Sequence, residues 1–306
     1  MKVLIVCSRN AGYISPFIKE QAEAVESLKI EINYFLIRGK GFSGYLKNLP
    51  GLKKKITDFN PDLIHAHYGL SGLLAALQRK IPVIITFHGS DAYLLKIKFL
   101  SKIAARLSKF NIYVSKKIME RIDKNNHNAI IPCGINLEIF QPIEMKIARE
   151  ELYMEPNKKY ILFASRFNNS VKNASLAFEA LNKLDGNTEL LELKNRSREE
   201  VNMLLNACDL LLLTSFSEGS PQIIKEAMAC NCPIVATDVG DIKDVIAGTE
   251  GCFITKFDPV DVAEKIKLAL DFNKRTNGRE QIRHFDNNLI AKEIVKCYQK
   301  FLDRDL

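Results

Sequence analysis

Two glutamates, Glu218 and Glu226, stand eight positions apart in the stretch SFSEGSPQIIKEAMACNCPIV, Ser215 to Val235. A Gly-Ser-Pro turn lies between them and the flanking chain is mostly apolar. The run LLLLTS ahead of them reads as a buried strand, with Phe216 to Gly219 as its exit loop. Ser220 then Pro221 reads as a helix start, a hydroxyl cap followed by proline at the first helical position. Such a start offers backbone N–H groups and the positive end of the helix dipole, which suit an anion. At 1.5 Å per residue, Glu226 lies roughly 7.5 Å along this helix. Glu218 lies on the other side of the start. The layout suits a ligand with an anionic centre and hydroxyl groups on both flanks, such as ribose, diphosphate and hexose in a nucleotide sugar. Against this stands the plainer reading of two solvated glutamates. Their shared setting after a buried strand weakens that reading.

Other residues capable of chemistry also follow apolar runs: His65 and His67 in IHAHYG, His88 in TFHGSD, and Arg166 and Lys172 in ILFASRFNNSVKN. His65 and His67 point to one face of a strand, because side chains repeat every two residues. With His88 they form a conceivable three-histidine metal site. Two ligands at that spacing with no carboxylate-rich companion favour a structural role, and no metal is expected.

These residues must be positioned by an α/β scaffold. KVLIVC, INYFLI, DLIHAHY, PVIITFHG, NIYVS and AIIPCG read as strands in the first half, and ILFAS, ELLEL, LLLLTS, PIVATD and CFIT in the second. The runs are continuously apolar rather than alternating, so both faces are buried, as in parallel sheets covered by helices. The fold class is therefore α/β, with two doubly wound, Rossmann-like domains. A break near Phe140-Gln141-Pro142 divides residues 1–140 from 141–287. A last helix over about 288–306 can pack on either domain, including back on the first. Ligands of such sheets bind at the carboxyl ends of the strands, where the residues above lie.

Composition narrows the classes. The 306 residues are 47% hydrophobic and 26% charged, as in a soluble globular protein, and allow two domains. No apolar run reaches the roughly 18 residues of a membrane span. Seven scattered cysteines without C-x-x-C spacing suggest buried thiols in a reducing cytoplasm. The net charge of +8 is uneven: residues 1–140 carry +11 and the remainder −3. The basic half suits an anionic membrane surface or an anionic acceptor. Nucleic acid is disfavoured, since no aromatic-basic motif accompanies the charge. Tyr93 to Phe110, YLLKIKFLSKIAARLSKF, reads as an amphipathic helix with five Lys/Arg and no acid, of the kind that lies on anionic lipid. The alternative is a packed helix with a solvated basic face.

SEGSPQIIKEAMACNCPIVATDVGD resembles the signature of the family-4 retaining glycosyltransferases (glycosyl transferases group 1), two-domain enzymes of the GT-B fold with the donor in an interdomain cleft. ILFASRFNNSVKN, SRNAGYISP, TFHGSD, IHAHYG, IPCGINLEIFQP and the final FDNNLIAKEIVKCYQKFL resemble further landmarks of that family in order, so the resemblance spans almost the whole chain. It implies that Glu226 holds the ribose hydroxyls of a nucleotide diphosphate sugar. Glu218 and His88 lie near the reacting sugar as the catalytic pair. Arg166 and Lys172 clamp the diphosphate, and Gly219, Ser220, Gln222 and Ile223 present amides to the donor. Gly12 lets the backbone after the first strand approach donor or acceptor. The implied reaction moves the sugar to an acceptor hydroxyl with retention. Orientation and charge stabilisation carry it, domain closure accompanies it, and no metal or other cofactor is required.

One feature departs from the family pattern. Between Leu181 and Leu210 one strand–helix unit is shortened or missing, and that segment, 185–200, often contributes to the base pocket. The expected acceptor is a glycan or lipid-linked intermediate in cell-surface polysaccharide or glycolipid synthesis. The expected location is the cytoplasm, peripheral on the inner face of the membrane. The rival reading is a catalytically silent GT-B-like subunit that assists a partner glycosyltransferase.

Overall fold

Leucine and β-branched runs leave no polar face to a strand, so the inner strands of each sheet are buried along most of their length, while the edge segments Glu31–Ile37, Asn128–Ile130, Thr188–Glu192 and Cys252–Thr255 are only partly buried. The computed structural model describes residues 1–122, 128–184 and 186–302. The chain divides into two compact units, Met1–Gly134 with Asn287–Leu306, and Ile135–Asp286. The division falls after Gly134 rather than after Phe140. The final helix, Asn287–Leu302, lies in the first unit; residues 303–306 lie outside the described residues.

The first unit holds β1 (Lys2–Ser8), β2 (Glu31–Ile37), β3 (Leu63–His67), β4 (Val83–Phe87), β5 (Phe110–Tyr113) and β6 (Asn128–Ile130). They form one parallel sheet in the order β2-β1-β3-β4-β5-β6. Succession reverses between β1 and β3, which opens a crevice at their carboxyl ends. One face of this sheet is closed by Ile18, Ala22 and Val25 of the helix Pro16–Glu26. Ile290, Ala291, Ile294 and Tyr298 of the final helix close it with them.

The second unit holds β7 (Lys159–Phe163), β8 (Thr188–Glu192), β9 (Leu210–Leu213), β10 (Ile234–Thr237) and β11 (Cys252–Thr255). Their order is β11-β10-β9-β7-β8, again parallel, with the reversal between β7 and β9. Arg166 and Lys172 follow β7, and Glu218 follows β9, so the two sides of this crevice carry the charged residues. β8 is an edge strand. Residues 193–197 lead from it directly into the helix Arg198–Ala207, with no further strand among the described residues. The segment read from the sequence as shortened includes this edge strand and the turn into that helix.

Two helix readings are corrected. The segment Tyr93–Phe110 is not one helix: Leu94 is extended (φ −85°, ψ 115°), Leu95–Leu107 is helical, and Phe110 already opens β5. No helix among the described residues is long and apolar enough to cross a membrane. The helix after Glu218 starts at Gln222, with Pro221 itself in the extended cap conformation (φ −70°, ψ 118°). Proline sits one position earlier than expected, and no side chain caps the helix.

At the end of the sheet away from the crevice, Arg149 and Asp209 lock β7 to β9. Arg149 Nη2 donates to Asp209 Oδ2 at 2.8 Å, with the two side chains 9% and 11% exposed. The same carboxylate accepts from the backbone N–H of Tyr160 at 2.8 Å, and Arg149 also donates to the carbonyls of Ala207 and Pro156. Breaking a buried pair strands its partner charge, so Arg149→Ala is expected to lower the unfolding free energy by about 3 kcal/mol. Lys159 reaches the same carboxylate at 3.2 Å but is 41% exposed, and Lys159→Ala is expected to cost less than about 1 kcal/mol. Denaturant titration of both variants measures the contrast; equal losses would contradict it.

Candidate functional site

The β9 exit loop is fixed by backbone bonds before any charged group is considered. The Thr214 hydroxyl donates to the carbonyls of Lys172 and Asn173, and Phe216 N–H donates to Val171 O at 2.9 Å. These bonds draw the short turn Ser170–Lys172, which follows β7, against the loop that carries Glu218. Lys172 Nζ then meets Glu218 Oε1 at 2.6 Å, with the side chains 20% and 13% exposed. The two residues are 46 positions apart, and the switch between β7 and β9 makes them neighbours.

Gly240 explains the DVG that follows β10. Its φ is +63°, and a Cβ there would stand 2.6 Å from Gly219 O and 3.1 Å from Glu218 O. The β10 exit loop thus lies directly against the Glu218–Gly219 turn, and only glycine permits the approach. Nearby, burial pushes the Asp241 carboxyl up, and the Lys225 ammonium partly offsets it.

Glu226 sits in the helix Gln222–Ala229, buried to 4% exposure. It is not a solvated glutamate. Its carboxylate is ion-paired with Nη1 of Arg198, the first residue of the helix that follows β8. The Arg198 guanidinium lies over the Phe140 ring, 4.4 Å from its centroid. Arg166 does not join Lys172: its Nη2 donates to Asn195 Oδ1 in the loop after β8. In that loop region Glu192 Oε1 also accepts the Phe167 N–H at 2.8 Å. The structure therefore brings together Lys172 and Glu218 around the start of the helix that holds Gln222, Ile223 and Glu226, and leaves Arg166 on the β8 side.

In the first unit His65, His67 and His88 gather at the ends of β3 and β4. His65 and His67 stack at 4.5 Å between centroids, as their shared strand face requires. Both His65 ring nitrogens are engaged, Nδ1 with the Tyr298 hydroxyl at 2.6 Å and Nε2 with the Thr86 hydroxyl at 2.7 Å. His67 Nδ1 and His88 Nε2 share a hydrogen bond at 3.0 Å, and His88 Nδ1 lies 3.4 Å from Cys133 Sγ. Phe17, from the segment after β1, and Tyr68 pack against the His88 ring at 5.0 and 4.7 Å. Tyr68 holds φ 72° and ψ 148°, a backbone region that costs a side-chain-bearing residue about 1–3 kcal/mol and that clusters at functional sites.

Asp91 anchors this cluster. Its buried carboxylate accepts from Gly69 N–H at 2.7 Å and His88 N–H at 2.8 Å, tying the exit loops of β3 and β4 together. Burial pushes its carboxyl up, against the opposing effect of these backbone donors. Gly12, in the β1 exit loop, has φ +92° with open space around it, so its requirement is conformational rather than steric.

Sequence reading passed over Arg198, Asp91 and Tyr298. Ser197 and Glu200 do form the capping box that the S-x-x-E spacing signals, which locates a helix start but not the partner of Arg198.

Burial sets a pH dependence. His65 is pushed down to about 3 by burial, and His67 well below its ordinary value by burial and then by the charges of His65 and His88. The unfolded chain takes up these protons near pH 6.5 and the fold resists them, so stability is full above that pH. It falls as pH drops from there toward 3, by about 1.4 kcal/mol per pH unit for each histidine. Unfolding free energies measured across this window should show that slope, and His65→Gln should reduce it by one proton's worth. An unchanged slope in the variant would contradict the assignment.

Residues 5–139 match the model described as Glycosyltransferase Family 4, and residues 186–271 match Glycosyl transferases group 1. An uncharacterized glycosyltransferase of Methanocaldococcus jannaschii is 31% identical over 86% of this chain and 83% of its own length. The N,N'-diacetylbacillosaminyl-diphospho-undecaprenol alpha-1,3-N-acetylgalactosaminyltransferase of Campylobacter jejuni is 27% identical over 84% of this chain and 82% of its own. Among solved structures, sucrose-phosphate synthase from Thermosynechococcus elongatus superposes with a TM-score of 0.85 at 16% identity, covering 99% of this chain and 100% of that one. The chain belongs to the group 1, family 4 glycosyltransferases and has their GT-B fold of two parallel-sheet, Rossmann-like units.

Proposed function

We propose that the second unit binds a nucleotide diphosphate sugar as donor, and that the sugar passes to an acceptor hydroxyl with retention at the anomeric carbon. The observation that carries this reading is the 2.6 Å pair of Lys172 and Glu218 beside the start of the helix that buries Glu226. Lys172 supplies a cation for the diphosphate, Arg166 a second from the β8 side, and Gly219, Ser220, Gln222 and Ile223 supply amides. A departing diphosphate gains charge, and fixed cations with a helix terminus stabilise it in the transition state. Ionised carboxylates only accept hydrogen bonds. Glu218 therefore holds hydroxyls of the sugar and Glu226 those of the ribose. In this reading the donor phosphate takes the acceptor's proton on the same face, and the chain's own cations suffice without a metal. Activity in a chelating buffer should then match activity with added divalent cations.

His88 and Gly12 belong to the acceptor-handling half of this reading. The His67 hydrogen bond and the Asp91 anchor fix the orientation of His88. The acceptor is proposed to be a lipid-linked or cell-surface glycan. The support is the undecaprenol-linked substrate in the name of the Campylobacter relative, together with the charge of +11 on residues 1–140. Leu94, Leu95 and Phe99 are exposed beside Lys96, Lys102 and Arg106, which gives the helix Leu95–Leu107 an apolar and basic surface suited to an anionic bilayer.

A ligand that binds only the folded state raises stability by mass action, by about 2.7 kcal/mol at a hundred times its Kd. A thermal-shift panel of UDP, GDP, ADP, CDP and their sugars is expected to single out one base. Lys172→Ala and Glu226→Ala should each weaken that nucleotide by about 10-fold or more, the worth of a charged hydrogen bond. Full binding by both variants would sink the donor assignment.

A further inference from the structure

Arg198 stands where local electrostatics disfavour it. It is the first residue of the helix Arg198–Ala207, which opens with the capping box of Ser197 and Glu200. A cation in the first turn faces the positive end of the helix dipole. Glu199 and Glu200, the next two residues, have the favourable sign there. Something outside the helix must therefore reward a cation at position 198.

That something is Glu226, buried in the helix Gln222–Ala229 and ion-paired with Arg198 Nη1. A carboxylate at this depth is costly to keep charged, and a cation beside it offsets that cost. The arginine is also held from its other side. Its guanidinium lies over the Phe140 ring at 4.4 Å. Phe140 is fully buried, and its carbonyl accepts from Arg279 Nη1 at 2.5 Å. Arg279 Nη2 also donates to Leu137 O at 2.8 Å. The next stretch of chain is pinned to the Arg198 helix, since Gln141 N–H donates to Asn202 Oδ1 at 3.1 Å and Ile143 N–H to Asn206 Oδ1 at 2.9 Å. Ring, guanidinium and carboxylate are thus brought together by three separate segments. A guanidinium held over a ring on one side and against a carboxylate on another has few ways to turn, so the carboxylate it grips is oriented too.

We propose that Arg198 is a positioning residue for the ribose: it keeps Glu226 ionised and aimed, and through it sets the preference for a ribonucleotide donor. The proposal rests on Glu226 as the ribose contact. The Phe140 platform and the bonds that pin it hold the guanidinium in place beside Glu226, which a pair needed only for stability does not require.

The test uses the full chain and calorimetric Kd values. The probes are whichever of UDP, GDP, ADP and CDP binds best, and its 2′,3′-dideoxy counterpart. Wild type should prefer the ribonucleotide by about 10-fold to 100-fold, the range for hydrogen bonds to a charged group. Arg198→Ala should bring that ratio close to one while leaving the dideoxy affinity unchanged, which also shows that the variant is folded. Arg198→Lys should restore part of the ratio, since it returns the charge without the fork. If Arg198→Ala keeps the wild-type ratio, or binds the ribonucleotide more tightly, the positioning role is wrong. If Glu226→Ala keeps the ratio, Glu226 is not the ribose contact, and the donor reading falls along with this proposal.

Discussion

A carboxylate taken out of water needs a cation or donated hydrogen bonds beside it, and the second unit gives a cation to each of two carboxylates eight positions apart. Glu218 finds Lys172 from the turn after β7, and Glu226 finds Arg198 from the helix after β8. Neither cation is near its partner in sequence. Both meetings depend on the strand order β9-β7-β8, which lines up the exits of three strands along one edge. The sheet is held at its opposite end by Arg149 and Asp209, so the architecture and the charges support each other. A charged motif of this kind cannot be grafted on a loop alone. It requires the crevice that a doubly wound sheet leaves at its switch point.

The first unit solves a different problem with neutral groups. His65 and His67, both buried, are kept from protonation by desolvation, and His67 also by the charges of His65 and His88. Tyr298 and Thr86 engage both ring nitrogens of His65, and His88 lies between His67 and Cys133. Tyr298 comes from the final helix, so the last stretch of the chain completes a cluster begun at residue 65. Strain at Tyr68 and the Asp91 anchor hold the exit loops of β3 and β4 in one arrangement. Such over-determined geometry favours fixed orientation over proton storage.

Much of this was legible in the residues. Apolar runs located all eleven strands, with the continuous signal carried by the inner strands that a parallel sheet buries on both faces. The spacing of Glu218 and Glu226 located the loop and helix that hold them, and the two-residue period put His65 and His67 on one face. What stayed hidden were pairings across long separations. Arg198 with Glu226 and Tyr298 with His65 depend on how elements pack, which no local pattern encodes. The helix start was misplaced by one residue because Ser-Pro signals a cap in general. Here Pro221 takes the extended cap conformation itself. That β8 forms the sheet edge, with Arg198 opening the helix after it, needed the sheet order.

The most direct test of the account is a crystal structure of the chain with its preferred nucleoside diphosphate bound. The ribose hydroxyls should lie within hydrogen-bond distance, about 2.6–2.9 Å, of the Glu226 carboxylate. The β-phosphate should lie beside Lys172 Nζ at the start of the helix Gln222–Ala229. A nucleotide found elsewhere on the second unit, or one whose ribose faces solvent away from Glu226, would contradict it.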